Sequence, residues 1–442
     1  MSATSSPQQS EGADFTQRVT YTFMIGVYLA VNAIRDLYLL IEGPDCTYMK
    51  TQYVQGNHDW LSTLTSVSGL HRIANTALHP AQMSGSREES LQATLQRIAS
   101  HPAVPAVALT SMPMAFITGA EYARLTRQVA RASGKPILHV PGKSLSGDWI
   151  DGYAEVLLSL ARQLDLSGGS PSETKAAVVG YLFDRNEQDH VANLRELEAM
   201  FGAAGLELVS VWLSGSRFCD LRAVRDAGVI VSLPYGRKAA REIARRTGAR
   251  LLEWDLPFGL DASERWVREL AALSGAQAKA ESFIDRQLSS IVPRLEWVVP
   301  FVFQQRVLGY VGDPFLLPGI ASLADLVGAR LQFAVVTNRP HHAAGLASKL
   351  PGVELLVYPK MKSLMRALER HFESAPPHLT IANNAGILGG QGAVLEFGFP
   401  SYFRHALYDR PFLGFGGAIA TLDSMANALR WQEVELTRRA MR

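Results

Sequence analysis

The sequence predicts an α/β chain of three consecutive units, each with a parallel sheet. Three observations carry that expectation. Short apolar runs rich in β-branched and aromatic residues alternate with amphipathic segments of helical period, the pattern of parallel strands joined by right-handed crossovers. The 442 residues amount to roughly three domains of about 150 residues each. Gly, Pro and Ser punctuate the strand ends, most openly at Ser167-Gly168-Gly169-Ser170-Pro171-Ser172, which reads as a linker. The expected division is a disordered N-terminus over 1–18, a first α/β domain over 19–166, a second over 173–292, and a third over 293–442 that ends in a long helix.

In chain order, an apolar helix over 19–35 feeds a strand at 37–41. Residues 60–78 are undecided between helix and loop. Ser86 as N-cap with Glu89 three residues on forms a capping box for a helix that buries Leu91, Leu95 and Ile98. A strand at 104–110, a helix at 120–133 and a strand at 136–140 follow. In the second unit the strands are 176–183, 206–213, 229–233 and 250–254, with helices at 191–204, 218–226 and 238–247. Helices at 264–273 and 276–292 bridge to the third unit. There, strands at 307–311, 331–337, 353–358 and 379–382 alternate with helices at 317–327, 343–350 and 363–372, and a final helix runs over 419–439.

Hydrophobic residues make up 47% of the chain and charged residues 19%, enough material for buried cores. With 43 basic against 41 acidic side chains, there is no clustered cationic excess to hold phosphates, so nucleic acid is not an expected partner. Two cysteines, Cys46 and Cys219, make no disulfide framework, and the polar N-terminus lacks the pattern of a signal peptide. No apolar run reaches the ~18 residues of a membrane span. The expected compartment is the cytoplasm.

The stretch 37–58, LYLLIEGPDCTYMKTQYVQGNH, concentrates the chemistry. Its apolar run stops at Glu42-Gly43-Pro44-Asp45-Cys46, where Gly and Pro turn the chain and leave a thiol and two carboxylates at the carboxyl end of a strand. Open α/β sheets present ligands there. Cys46 is either a small packed hydrophobe or a metal or cluster ligand. Cys219, beside Phe218 and Leu221, reads as structural. Pro141-Gly142-Lys143-Ser144 lacks the upstream Gly and the spacing of a phosphate loop, so no nucleotide site is expected. His58, His71, His79 and the pair His341-His342 lack metal-ligand spacing on one helix face and read as loop histidines, with His58 close enough in sequence to stand behind Cys46. Gly414-Phe415-Gly416-Gly417 marks either tight packing or a backbone approach to a ligand at a helix N-terminus.

Taken together, LLIEGPDC at 39–46, Leu78-His79-Pro80 with SGSREESL at 84–91, Thr110-Ser111-Met112-Pro113, VPGKSLSG at 140–147 and PFLGFGGA at 411–418 resemble the component 1 family of nitrogenase and nitrogenase-like reductases. That family includes the dark-operative protochlorophyllide and chlorophyllide reductases and cofactor-assembly scaffolds. The resemblance covers about Thr22 to Ala428. It implies three Rossmann-like domains with parallel sheets around a central cleft, and a [4Fe-4S] iron-sulfur cluster shared with a homologous subunit in a homo- or heterodimer. Cys46 and Asp45 would be its ligands from this chain, with Glu42, Gly43 and Met112 around it. It also implies a separate iron-sulfur ATPase that delivers electrons, so that no ATP site belongs to this chain, and a small-molecule substrate or metallocofactor in the cleft; Arg339, His341, His342, Asn383 and Asn384, which lie after third-unit strands, are the residues placed to line it, with His58 from the first unit.

The departures bear on the same loop. Members that bind the bridging cluster bring three cysteines per subunit, and here only Cys46 remains. The early position near Phe23 is not cysteine, Met112 replaces another, Glu42 stands for a histidine, and the Gly-Pro loop is one residue shorter. The thiolates of an eight-iron cluster are not there. The expected function is therefore one subunit of a two-component ATP-dependent reductase, an oxidoreductase that passes electrons from a cluster near Cys46. The alternative is a non-redox scaffold or binding subunit paired with a cluster-bearing paralogue.

Overall fold

Each of three parallel sheets reverses its strand order about one inner pair of strands, and those reversals fix where loops of opposite direction part. The computed structural model describes residues 15–66, 70–83, 85–116, 119–143, 145–388 and 392–441. The first sheet contains β1 (Leu37–Glu42), β2 (Ile73–Asn75), β3 (Ala106–Ser111) and β4 (Ile137–His139) in the order β2-β1-β3-β4. The second contains β5 (Ser172–Val179), β6 (Glu207–Val211), β7 (Ala227–Ser232) and β8 (Arg250–Glu253) in the order β6-β5-β7-β8. The third contains β9 (Val307–Gly312), β10 (Arg330–Val336), β11 (Glu354–Val357), β12 (Leu379–Ala382) and β13 (Ala393–Glu396) in the order β11-β10-β9-β12-β13. Every ladder is parallel. The switch points lie between β1 and β3, between β5 and β7, and between β9 and β12, where an open sheet leaves a crevice at its carboxyl ends.

Strand alternation assigns the faces. In the first sheet Leu40, Val107 and Leu109 pack with Leu91 and Leu95 of α1 (Glu88–Ser100) and Leu125 and Val129 of α2 (Tyr122–Ser133). Leu39, Ile41 and Ala108 face the main core on the other side. That core includes two helices in backbone contact, Phe23–Asn32 and α3 (Trp149–Gln163). A Cβ added at Gly26 would lie 1.7 Å from Trp149 O, and one at Gly152 1.9 Å from Phe23 O. Only glycine allows that approach.

Several elements differ from the sequence expectation. Helix α3 is absent from the sequence expectation, although Trp149, Tyr153, Val156 and Leu160 recur on its buried side at helical spacing. Its cap is Asp148, which accepts from Ile150 N at 2.9 Å while Asp151 accepts from Asp148 N at 2.9 Å. The box expected at Ser86 is not made: α1 starts after Arg87 without a side-chain cap, and Glu88 accepts from Glu121 N at 2.8 Å and pairs with Arg124. The undecided stretch 60–78 supplies β2, and β13 had no assignment. Residues 218–226 form a 3-10 turn, and the helix expected over 343–350 is reduced to the turn Pro340–Ala343 and the short helix Leu346–Lys349.

Residues 1–14 of the expected N-terminal tail, Ser84 of the expected helix start and Ser144 of the 141–144 loop lie outside the described residues. Residues 17–19 run beside 359–361, with Val19 N donating to Pro359 O at 3.0 Å and Met361 N to Gln17 O at 2.8 Å. The 167–172 segment lies against the second unit, Ser170 N donating to Asp226 Oδ1 at 2.8 Å. The last helix, α4 (Gly414–Ala440), begins at the glycine-rich stretch. Its N-terminus receives the Glu196 carboxylate, which accepts from Gly416 N at 3.1 Å, and a Cβ at Gly416 would lie 2.3 Å from Glu196 Oε1. Close packing accounts for these glycines, Gly414 and Gly416 against Glu196 and Gly417 against the Phe412 backbone. No described helix is long and apolar enough to cross a membrane.

Candidate functional site

The first switch point is built by Glu42, Gly43 and Met112. Met112 N donates to Glu42 O at 2.9 Å, Gly43 N to Thr76 Oγ1 at 3.1 Å, and Leu78 N to Gly43 O at 2.9 Å. The Met112 side chain covers Gly43 so closely that a Cβ there would meet Met112 Cγ at 2.8 Å. By alternation Glu42 points to the Leu40 face, toward α1 and α2. It is wholly buried, accepts from the Tyr122 hydroxyl and lies 3.8 Å from Arg87 Nε. Burial raises its pKa, against the opposing effects of Tyr122 and Arg87. Asp45 is exposed, and Cys46 is half-buried against the main core at the start of the short helix Thr47–Gln52. Tyr48 and Met49, just beyond it, are 42% and 75% exposed. Cys219 is exposed beside Asp220, 3.5 Å from its Oδ1.

His58 joins all three units. Wholly buried, it donates through Nε2 to Asp184 O at 3.2 Å, after β5, and accepts through Nδ1 from Ser401 N at 3.0 Å, after β13. Its ring meets Phe399 edge-on at 4.9 Å. Burial, reinforced by nearby Arg185, lowers its pKa to about 3, so the ring is neutral. Next to it, Asp59 accepts from Asn32 Nδ2 and Asn186 Nδ2, both at 2.7 Å.

Beyond the His58 junction, a narrow cleft of about 80 Å³ opens between the second and third sheets, lined among others by Asp184, Arg185, Tyr235, Glu396, Arg404 and His405. Burial, then repulsion from Asp189, raises the Asp184 carboxyl to about 7. Arg185 lies 3.2 Å from Asp189 and 3.5 Å from Glu187 and donates to Arg404 O at 2.7 Å. Tyr235 donates to Asp313 Oδ2 at 2.5 Å, which couples the second and third switch points. In the sequence, Asp184 and Arg185 are marked only by a charged run, DRNEQD at 184–189, directly after an apolar strand.

None of the residues expected to line a cleft borders this one directly, although His58 and Asn383 stand behind its Phe399. Arg339, His341 and His342 gather at the N-terminus of α3: Arg339 N donates to Asp148 Oδ2 at 2.8 Å, and His341 Nε2 lies 2.9 Å from Asp151 Oδ1. Burial works against charge on His342, but Asp148 and Asp151 outweigh it and raise the pKa to about 9. Asn383 donates to Phe399 O at 2.7 Å and Asn384 to the Tyr21 hydroxyl at 3.1 Å.

Three parallel sheets whose switch points meet around a junction and a cleft define the class of α/β protein to which the chain belongs. The chain belongs to the nitrogenase component 1 type oxidoreductase family, whose model matches residues 22–430. It is 25% identical over 366 residues to the light-independent protochlorophyllide reductase subunit N of Chloroflexus aurantiacus, covering 81% of this chain and 76% of that one. To the nitrogenase molybdenum-iron protein beta chain of a Nostoc species it is 23% identical over 328 residues, covering 66% and 60%. In fold it matches a solved chain of nitrogenase Cp1 with a TM-score of 0.79 at 14% identity, covering 96% of this chain and 95% of that one.

Family members typically bind iron-sulfur clusters, and the donor set here tests the fit. Near Cys46 the chain offers one half-buried thiol and one exposed carboxylate, Asp45. Glu42 points to the other face of the sheet, where Tyr122 donates to its Oε2 while Oε1, 3.8 Å from Arg87 Nε, has no hydrogen-bond partner, and Met112 lies over Gly43. Among the described residues no set of three His, Cys, Asp or Glu donors forms around Cys46. These residues fit one edge of a cluster completed by another chain, and do not fit a cluster held by this chain alone.

Proposed function

We propose that the protein is one subunit of a nitrogenase-like two-component reductase, in which Cys46, with Asp45 beside it, offers ligands to a [4Fe-4S] cluster completed by a homologous subunit. The observation that carries this reading is the position of Cys46: half-buried, at the switch point of the first sheet, followed by the exposed apolar Tyr48 and Met49. Such a thiol is sheltered from one side and open to a partner from the other. The cluster's contribution is one-electron transfer, fed by a separate iron-sulfur ATPase. The chain's own residues shape the rest. Gly43 lets Met112 close over the loop, and Asp184, a half-buried acid able to hold a proton near neutral pH, stands in the cleft wall where a small-molecule substrate takes up protons on reduction.

A second reading rests on two observations, the single candidate thiolate and a cleft of only about 80 Å³. Both favour a non-redox scaffold or pairing subunit. Anaerobic purification of the chain alone and together with a candidate homologous subunit separates the two. The reductase reading predicts a dimer whose iron content exceeds the sum of the separately purified chains. A dimer with no added iron supports the scaffold reading, and a strictly monomeric, fully active protein overturns both.

A further inference from the structure

A second group of metal-ligating side chains stands far along the chain from Cys46, in the seam between the first and third units. Asp151 comes from the first turn of α3, and His341 and His342 from the turn Pro340–Ala343 after β10. Asp151 Oδ1 lies 2.9 Å from His341 Nε2 and 3.3 Å from His342 Nε2, and the three donor atoms all lie within 4.8 Å of one another. The carboxylate is aimed from behind: its Oδ2 accepts from Asp148 N at 2.9 Å, leaving Oδ1 for the imidazoles.

Two features distinguish this group from ordinary ion pairs. His342 Nε2 is sealed from solvent and makes no well-formed hydrogen bond, although Asp151 Oδ1 and Asp148 Oδ1 stand 3.3 and 3.4 Å away. Donors about 3.3 Å apart are what bonds of about 2.05 Å at tetrahedral angles to one ion require. The donor set is also the right one: two imidazoles and a carboxylate suit a zinc-class ion, with neighbouring carboxylates to offset its charge. His341, with its side chain 56% exposed, leaves one side open for a water ligand.

We propose that Asp151, His341 and His342 bind one divalent cation of the zinc class, with Asp148 as the outer partner that orients Asp151. The ion clips the N-terminus of α3 to the loop after β10. That seam is otherwise held at this point by Arg339 N and Asn338 Nδ2, which donate to Asp148 Oδ2 at 2.8 and 3.2 Å. The site is independent of the cluster ligands and stands or falls apart from the reductase reading.

The test is calorimetric titration of the full chain with Zn²⁺ after removal of metal by chelator, with the thermal midpoint read in parallel. Wild type takes up one equivalent at this site and melts higher with zinc, because the ion binds the folded state. His341→Ala, at an exposed position, and Asp151→Asn, nearly isosteric, each weaken zinc binding more than about 100-fold, beyond the 10- to 100-fold typical of outer-sphere changes. A Cys46→Ser/Cys219→Ser double variant keeps the site. Absence of binding by wild type, unchanged binding by His341→Ala, or loss of binding in the double cysteine variant overturns the proposal.

Discussion

Replacing His58 by Ala tests whether one neutral imidazole ties the three units together. The substitution leaves Ser401 N and Asp184 O without their side-chain partner in a buried place, at about 1–3 kcal/mol each. It also removes a ring packed against Phe399. Together these predict a loss of about 3–6 kcal/mol, read as a lower urea midpoint by circular dichroism and tryptophan fluorescence. The pH dependence adds a second readout. With an unfolded pKa of about 6.5 and a folded pKa lowered to about 3, the unfolded chain takes up the proton first. The stability from neutral His58 is therefore full above about pH 6.5 and falls as pH drops toward about 3, by about 1.4 kcal/mol per unit once well below 6.5. Between pH 7 and pH 5 wild type loses about 2 kcal/mol more than His58→Ala, other groups cancelling in the difference. A destabilisation under about 1 kcal/mol at pH 7.5, or identical pH profiles for the two proteins, would refute the junction.

Gly152→Ala sets a Cβ 1.9 Å from Phe23 O, forcing apart the helix pair under the first sheet; thermal melting shows a loss of about 3 kcal/mol or more, or no soluble protein. Asp184→Asn removes a carboxyl whose folded pKa is raised to about 7. That group's stabilising contribution is full below about pH 4 and lost as pH rises through 7, so the variant's urea midpoint changes less than wild type's between pH 5 and pH 8. Glu196→Ala strips the carboxylate from the N-terminus of α4 and lowers the melting midpoint by the equivalent of about 1–2 kcal/mol.

Strands buried on both faces, such as Leu37–Glu42 and Ala106–Ser111, were legible because a parallel sheet writes itself as short apolar runs between Gly and Pro. Helix α3 was not assigned, although Trp149, Tyr153, Val156 and Leu160 recur at helical spacing, because Gly152 reads as a break rather than as the close contact it makes. The Cys46 loop was legible as a strand end. What surrounds it was not: the direction of Glu42 depends on which face of β1 meets α1 and α2, and its partner Tyr122 lies 80 residues away. Likewise Asp184 and His58 are brought together across 126 residues, and Asp151 with His341 across 190. Contacts between units depend on how the sheets are docked, which no local period encodes.

The central claim is tested most directly by measuring iron and acid-labile sulfide in wild type, Cys46→Ser and Cys219→Ser, each purified anaerobically with the homologous subunit. Hydroxyl is a poor replacement for thiolate on iron. The account predicts that Cys46→Ser loses most of the bound iron and sulfide while Cys219→Ser keeps both, with all three proteins folded and dimeric. Full iron and sulfide in Cys46→Ser, or none in wild type with its partner present, contradicts it.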